Sequence, residues 1–361
     1  MLPLFQQLCL SDPVICKNSS FLLDLKAKHQ EFIQKPIKDA MANTPSSQQK
    51  PPLLVLLANP RGYCAGVERA IQMVEAVLRQ REEPVYVRHE IVHNRHVVEE
   101  LEAKGAVFVD EVSQIPSQAV AIFSAHGVAR PVVKEAEARG LEFLDATCPL
   151  VNKVHNETQH HHGQGRHVLL IGHKDHPEVI GTMGQVPVDA MTLVENIEQA
   201  ETVNVADETS LAYVTQTTLS VDDAATIIEV LERRFPAMIA PNKADICYAT
   251  TNRQDAVRAI APKADALLVI GAPNSSNSNR LVEVARNYGC KKSVLIERAS
   301  DIDWDDFEDV QTLGITAGAS APEVLVQEVI ETLSMRFQLR IEDVTVRQED
   351  VVFSLPKGLE D

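Results

Sequence analysis

Leu53-Leu54-Val55-Leu56-Leu57-Ala58-Asn59-Pro60-Arg61-Gly62-Tyr63-Cys64-Ala65-Gly66-Val67 sets the frame for the whole chain. Its apolar run, Leu53–Ala58, reads as a strand buried on both faces, the pattern of a parallel sheet covered by helices. Pro60 and Gly62 break the strand. From Val67 onward, Val67, Ala70, Ile71, Val74 and Leu78 fall on one helical face. Cys64 therefore stands between the carboxyl end of a strand and the start of a helix. Ligands of open α/β sheets gather outside strand carboxyl ends, and a helix N-terminus favours thiolate over thiol.

The same setting recurs at Phe143-Leu144-Asp145-Ala146-Thr147-Cys148-Pro149 and at Ala244-Asp245-Ile246-Cys247-Tyr248-Ala249. The three cysteines are 84 and 99 residues apart, so three similar units would bring one thiol each to a common centre. Between them, Pro84–Arg88, Ala119–Phe123, His167–Gly172, Leu211–Thr215, Ala266–Gly271 and Ser293–Glu297 read as further buried strands. Helical patterns separate them; Ala225, Ile228, Leu231 and Phe235 mark one apolar stripe. Strands alternating with helices predict an α/β fold with parallel sheets and right-handed crossovers. The expected partition is an extension and linker over 1–52, α/β domains over 53–148, 149–243 and 244–335, and a tail over 336–361.

The extension lacks Arg and ends in Thr44-Pro45-Ser46-Ser47-Gln48-Gln49-Lys50-Pro51-Pro52, a linker composition. It carries acidic residues that a transit peptide avoids and has no convincing secretory pattern. It reads as a loosely ordered extension, or as sequence upstream of a true start at Met41. A net charge of −17 and the lack of a Lys/Arg block argue against nucleic acid or an anionic membrane surface as partner. No apolar run is long enough to span a bilayer. Six cysteines in 361 residues, with no CxxC pair, exclude a disulfide scaffold and the common zinc ribbons.

Three convergent thiolates suit a soft metal or an iron–sulfur cluster, although a free cysteine is more often a small buried hydrophobe. Cys290 reads as structural, and Cys9 and Cys16 lie in the extension. A four-iron cluster given only three cysteines keeps one iron open to act as a Lewis acid. Zinc with three cysteines and a water is the alternative metal site. His93, His126 and His176 each follow a strand and can donate hydrogen bonds to an oxyanion, whereas His160-His161-His162 reads as a solvated helix end. The run Asn274-Ser275-Ser276-Asn277-Ser278-Asn279 at a helix start offers more donors than one cap needs and suits a phosphate. Thr316-Ala317-Gly318-Ala319-Ser320 and Thr215-Gln216-Thr217-Thr218 add hydroxyls at other strand ends. Glu178, in His176-Pro177-Glu178, is the candidate proton donor.

Taken together, Ala58-Asn59-Pro60-Arg61-Gly62-Tyr63-Cys64-Ala65-Gly66-Val67, Asp145-Ala146-Thr147-Cys148-Pro149, His176-Pro177-Glu178-Val179, Gly181-Thr182-Met183-Gly184-Gln185, Thr215-Gln216-Thr217-Thr218-Leu219 and Ser275-Ser276-Asn277-Ser278-Asn279 resemble, in content and order, the motifs of the 4-hydroxy-3-methylbut-2-enyl diphosphate reductases (the IspH/LytB family). The resemblance runs from about Leu53 to the end; the extension departs from it, as does Tyr63 where Phe is expected. It implies a trefoil of three pseudo-threefold related α/β domains around a central [4Fe–4S] cluster held by Cys64, Cys148 and Cys247. It implies Glu178 and Thr217 organising protons at the substrate hydroxyl with His176 beside them. The diphosphate would be held by His93, His126, Ser275, Asn277 and Ser320, with Ser276 and Thr218 nearby. A ferredoxin or flavodoxin donor with an NADPH reductase, and a cytoplasmic location, follow from the same resemblance. The competing readings are a zinc-dependent hydrolase of a phosphorylated substrate and a non-catalytic diphosphate-binding protein.

Overall fold

β1 (Pro52–Asn59) leads into α1 (Ala65–Gln80). Next come β2 (Val85–Arg88), α2 (Arg95–Ala103), β3 (Ala106–Val109), β4 (Val120–Phe123), α3 (Arg130–Ala138) and β5 (Glu142–Asp145). After α4 (Pro149–Gly163) the chain forms β6 (His167–Ile171), α5 (Pro177–Met183), β7 (Met191–Val194), α6 (Ile197–Thr202), β8 (Leu211–Thr215) and α7 (Val221–Arg234). Its last third holds α8 (Tyr248–Ile260), β9 (Ala266–Ile270), α9 (Ser276–Asn287), β10 (Lys292–Ile296), β11 (Thr312–Ala317), α10 (Glu323–Arg336) and β12 (Gln338–Thr345). The computed structural model describes residues 50–307 and 309–359. The extension, with Cys9, Cys16 and Met41, lies outside them.

Three sheets result, ordered β3-β2-β4-β5, β7-β6-β8 and β10-β9-β11-β1-β12, and every strand pairing within them is parallel. The α/β class with parallel sheets is as expected. Each strand read from its apolar run is present within a residue or so of its expected ends. Among the strands without such a reading, β3, β5, β7 and β12 all lie at sheet edges. An edge strand is half solvated, so β12 is mostly exposed and leaves no apolar run to find.

The partition differs from expectation at both ends. β1 lies between β11 and β12, registered Leu54↔Thr312 to Leu57↔Ile315 on one side and Pro52↔Gln338 to Asn59↔Thr345 on the other. Leu53, Val55 and Leu57 pack into one core with Leu313 and Val326, while Leu56 and Ala58 pack into another with Val257 and Leu267. Burial on both faces requires helices on both sides, which the third sheet supplies. We retain three lobes as a proposal, with β1 and β12 assigned to the third. The expected tail is thus an edge strand and then a strap. Its Ser354 and Gly358 carbonyls accept hydrogen bonds from Arg69 and Gln80 of α1, and Leu359 enters the core of the first lobe.

Two smaller expectations are corrected. On α7 the buried stripe is Ala224, Ile227, Val230 and Leu231, one residue earlier than the expected positions at its start, because the helix turns that face toward its own sheet. His161 is buried and not solvated: its ring packs inward and receives Arg166 Nη1, while His160 and His162 stay exposed. Cys290 is buried in the core beside α9, the structural position expected of it. Among the described residues no helix is long and apolar enough to cross a membrane.

Candidate active site

Each of the three cysteines occupies the N-cap of a helix: Cys64 before α1, Cys148 before α4 and Cys247 before α8. Each is also stitched by its backbone to the loop after a strand. Cys64 N–H donates to the Ala319 carbonyl at 3.2 Å, Cys148 N–H to Ala125 at 3.0 Å and Cys247 N–H to Thr217 at 3.0 Å. Ala319 follows β11, Ala125 follows β4 and Thr217 follows β8, so one device is repeated three times. All three thiols line a single cavity. Gly66 sits between two of them, and a Cβ there would lie 2.7 Å from Cys148 Sγ and 3.8 Å from Cys64 Sγ, so only glycine leaves room.

Burial pushes the Cys148 thiol up to about 12 and the Cys247 thiol to about 11, and in each case the neighbouring Cys64 adds to the rise. Thiols this reluctant to ionise alone are stabilised as thiolates when cationic metal replaces their protons. The donor set is soft and suits iron–sulfur chemistry. Among the described residues no three His, Cys, Asp or Glu side chains are grouped so as to hold one metal ion. A cluster takes each of its cysteines on a different iron, which suits three thiols arranged around one cavity.

Glu178, 3% exposed, points into the same cavity from the start of α5. Its Oε1 accepts the Thr217 N–H at 2.6 Å and its Oε2 accepts the Thr217 hydroxyl at 2.9 Å. Burial raises its pKa to about 7 against the opposing pull of those Thr217 bonds, with Asp245 adding to the rise. His176 caps α5, its Nδ1 accepting the Glu178 N–H, which places the ring proton on Nε2. Burial, then the facing rings of His93 and His173, lowers the His176 pKa to about 3, so this ring is neutral at pH 7.

The remaining expected side chains converge on the same space. The His93 and His126 rings stack at 4.0 Å between centroids, and His176 meets His93 edge-on at 5.4 Å. Ser275 caps α9, accepting the Ser278 N–H, and Ser276 donates to the Thr218 carbonyl. Ser320 donates to the His93 carbonyl at 2.9 Å, joining the third lobe to the first. Asn277 is 4% exposed, yet neither its Oδ1 nor its Nδ2 has a partner. Buried polar atoms left unpaired inside a cavity are poised for a ligand. Gly318 is needed behind them, since a Cβ there would strike Ser278 Oγ at 2.1 Å. Cys64, Cys148, Cys247, Glu178, His93, His126, His176, Thr217, Thr218, Ser275, Ser276, Asn277 and Ser320 all line the one cavity.

Two contributors were not singled out from sequence. Glu90 accepts from His93 Nδ1 at 3.2 Å and from Asn274 Nδ2 at 2.8 Å, which leaves the buried, unpartnered Nε2 of His93 for the cavity. Its position three residues before His93 was the available signal. Asp245, two residues before Cys247, accepts the Thr215 N–H at 2.8 Å and fixes the end of β8; nothing local distinguished it from a surface acid.

Replacing Asn277 with Ala is expected to raise KM for a diphosphate substrate roughly ten- to a hundredfold with kcat little changed, as lost hydrogen bonds to a charged group imply. Steady-state kinetics on the variant check this; an unchanged KM removes Asn277 from the binding set.

Comparison with known proteins agrees with this geometry. Residues 55–334 match the family model described as LytB protein. The chain is 56% identical over 311 residues to a 4-hydroxy-3-methylbut-2-enyl diphosphate reductase of Gluconobacter oxydans, covering 85% of this chain and 93% of that one. It is 55% identical over 310 residues to a 4-hydroxy-3-methylbut-2-enyl diphosphate reductase 1 of Bradyrhizobium diazoefficiens, covering 85% and 96%. Among solved structures, the E-1-hydroxy-2-methyl-but-2-enyl-4-diphosphate reductase of Plasmodium falciparum superposes with a TM-score of 0.80 at 37% identity, covering 86% of this chain and 97% of that one. With its three parallel sheets, its converging cysteines and relatives of this closeness, the chain belongs to the LytB family of iron–sulfur reductases.

Proposed function

We propose that this chain reduces 4-hydroxy-3-methylbut-2-enyl diphosphate to isopentenyl diphosphate and dimethylallyl diphosphate, the last step of the non-mevalonate isoprenoid pathway. The reaction takes up two electrons and two protons, breaks the allylic C–O bond and releases water. The observation that carries this reading is the meeting, in one cavity, of three thiols, a carboxyl that keeps its proton to about pH 7, and unpaired donors suited to a diphosphate.

Cys64, Cys148 and Cys247 would hold a [4Fe–4S] cluster. When bound, the cluster supplies electrons singly and a Lewis-acidic iron for the departing hydroxyl. The chain's own groups do the rest. Ser275, Asn277 and Ser320, with His93 and His126, orient the diphosphate; Ser276 and Thr218 hold the loop ends beside them. Burial drives His126 well below its ordinary pKa, helped by the facing His93 and His176. Neutral donors can therefore hold the anion despite the net charge of −17. In its acid form Glu178 gives its Oε2 proton to the Thr217 hydroxyl, whose own proton turns from Oε2 toward the leaving oxygen, and His176 Nε2–H donates to the same region.

The electron donor fits the same reading as a ferredoxin or flavodoxin served by an NADPH reductase, with the reaction in the cytoplasm. The test is the iron and sulfide content of protein purified without oxygen, followed by a reductase assay. About four irons and four sulfides per chain, with turnover of the allylic diphosphate, are expected. A colourless protein that refuses reconstitution, or binds only zinc, overturns the proposal.

A further inference from the structure

The helices that begin at the three cysteines share a second feature. Arg69 in α1 lies five residues beyond Cys64, Lys153 in α4 five beyond Cys148, and Arg253 in α8 six beyond Cys247. Nothing in the reaction above uses these cations. Each reaches across to the backbone just before the next cysteine in the chain, and the last returns to the first.

Arg69 Nη1 donates to the Thr147 carbonyl at 3.3 Å, one residue before Cys148. Lys153 Nζ donates to the Lys243 and Ala244 carbonyls and, at 2.6 Å, to the Asp245 carboxylate, two residues before Cys247. Arg253 is 0% exposed. Its Nε and Nη2 donate to the Gly62 carbonyl at 3.0 and 2.7 Å, and Nη2 also donates to the Tyr63 carbonyl at 3.0 Å, immediately before Cys64. Nη1 of the same guanidinium meets the Glu349 carboxylate at 3.0 Å.

Among the described residues no strand ladder joins the three sheets that carry the cysteines to the cavity. Beside backbone bonds such as Cys247 N–H to Thr217, the distances between the thiols depend on side chains that reach from one cysteine's helix to the stretch before the next. Drawing a cation out of water is costly unless its hydrogen bonds are made. That applies in full to Arg253, while Arg69 and Lys153 are half-buried; all three reach in the same rotational sense to the same place relative to each cysteine. Helix packing alone requires no such repetition.

We propose that Arg69, Lys153 and Arg253 form a closed ring of positioning residues, each carried on the helix of one cysteine and setting the place of the next thiol. The ring rests on the reading of this cavity as an iron–sulfur site, which gives three thiols at set separations their purpose. It makes a directional prediction. Loss of one cation loosens the following cysteine and not the cysteine on its own helix.

The test uses the full chain. After metal is removed with a chelator, thiols are labelled with iodoacetamide and the rate at each cysteine is followed by mass spectrometry. Lys153→Met is expected to speed labelling of Cys247 about tenfold, the factor that one lost charge-assisted hydrogen bond allows. Cys64 and Cys148 should stay near their wild-type rates, and Lys153→Arg should restore Cys247. Arg69→Met should act on Cys148 in the same way but less, since it makes one bond there, at 3.3 Å, where Lys153 makes three. Buried Cys290 reports general loosening. Equal acceleration at all three site cysteines together with Cys290, or no change at Cys247, overturns the ring. In parallel, the cluster of Lys153→Met should be lost in air faster than that of wild type or Lys153→Arg, and equal lifetimes count against the ring. A wild-type chain that takes up no iron sinks the functional reading, while the labelling pattern still decides the ring.

Discussion

Glu178→Gln is expected to lose turnover by on the order of 10²–10⁴-fold while keeping its cluster and its affinity for the diphosphate, the range for removing a general acid. Gln fills the same volume and its amide oxygen can still accept from the Thr217 N–H, so the loop after β8 stays in place. What is lost is the proton. Both carboxylate oxygens are engaged by Thr217, and burial holds the acid form to about pH 7. The sign of the pH dependence follows: below about 7 the donor is loaded, and above it the donor empties, so the wild-type rate should fall as pH rises through that value. The variant should lack this limb. A pH–rate profile of both proteins, with iron content measured on the same samples, decides the matter. Near-normal turnover in a cluster-loaded Glu178→Gln protein would refute the assignment.

Cys148→Ala is expected to abolish activity by depriving the protein of its cluster. Cys148 lines the shared cavity with the other two thiols, and a Cβ on Gly66 would lie 2.7 Å from its Sγ. A cluster left with two cysteines has two open irons and is lost readily to solvent or oxygen. The fold itself should survive, since Cys148 serves as a cap without a side-chain cap bond, and exchanging a small side chain for Ala costs about 1 kcal/mol. The expected protein is colourless, with a melting temperature close to that of metal-free wild type. Full iron and sulfide content in the variant would exclude Cys148 as a ligand. A large fall in melting temperature of the metal-free variant would make its role structural instead.

Much of this was legible in the residues themselves, for a physical reason. A strand covered on both faces must be apolar throughout, so Leu53–Ala58, His167–Gly172 and Ala266–Gly271 announce themselves without knowledge of their partners. A cysteine between such a strand and an amphipathic helix is placed by local chain geometry at the functional edge. The α/β class and the place of the three cysteines beside strand ends were readable because their signals are local, whereas the set of site side chains was expected from the resemblance of whole motifs.

The tertiary structure decided whatever depends on a distant partner. β12 is mostly exposed and carries no periodic signature; it is a strand because β1 offers eight registered partners. That same pairing, with the one to β11, places β1 in the sheet of the chain's last third. The rise in the Glu178 pKa comes from burial against a loop 39 residues away in sequence. Glu90 matters because His93 turns its other nitrogen inward. Arg69, Lys153 and Arg253 look like ordinary surface cations on amphipathic helices until the lobes meet. Which carbonyl or carboxylate a side chain finds is set by the packing of separate lobes, and local periodicity carries no information about it.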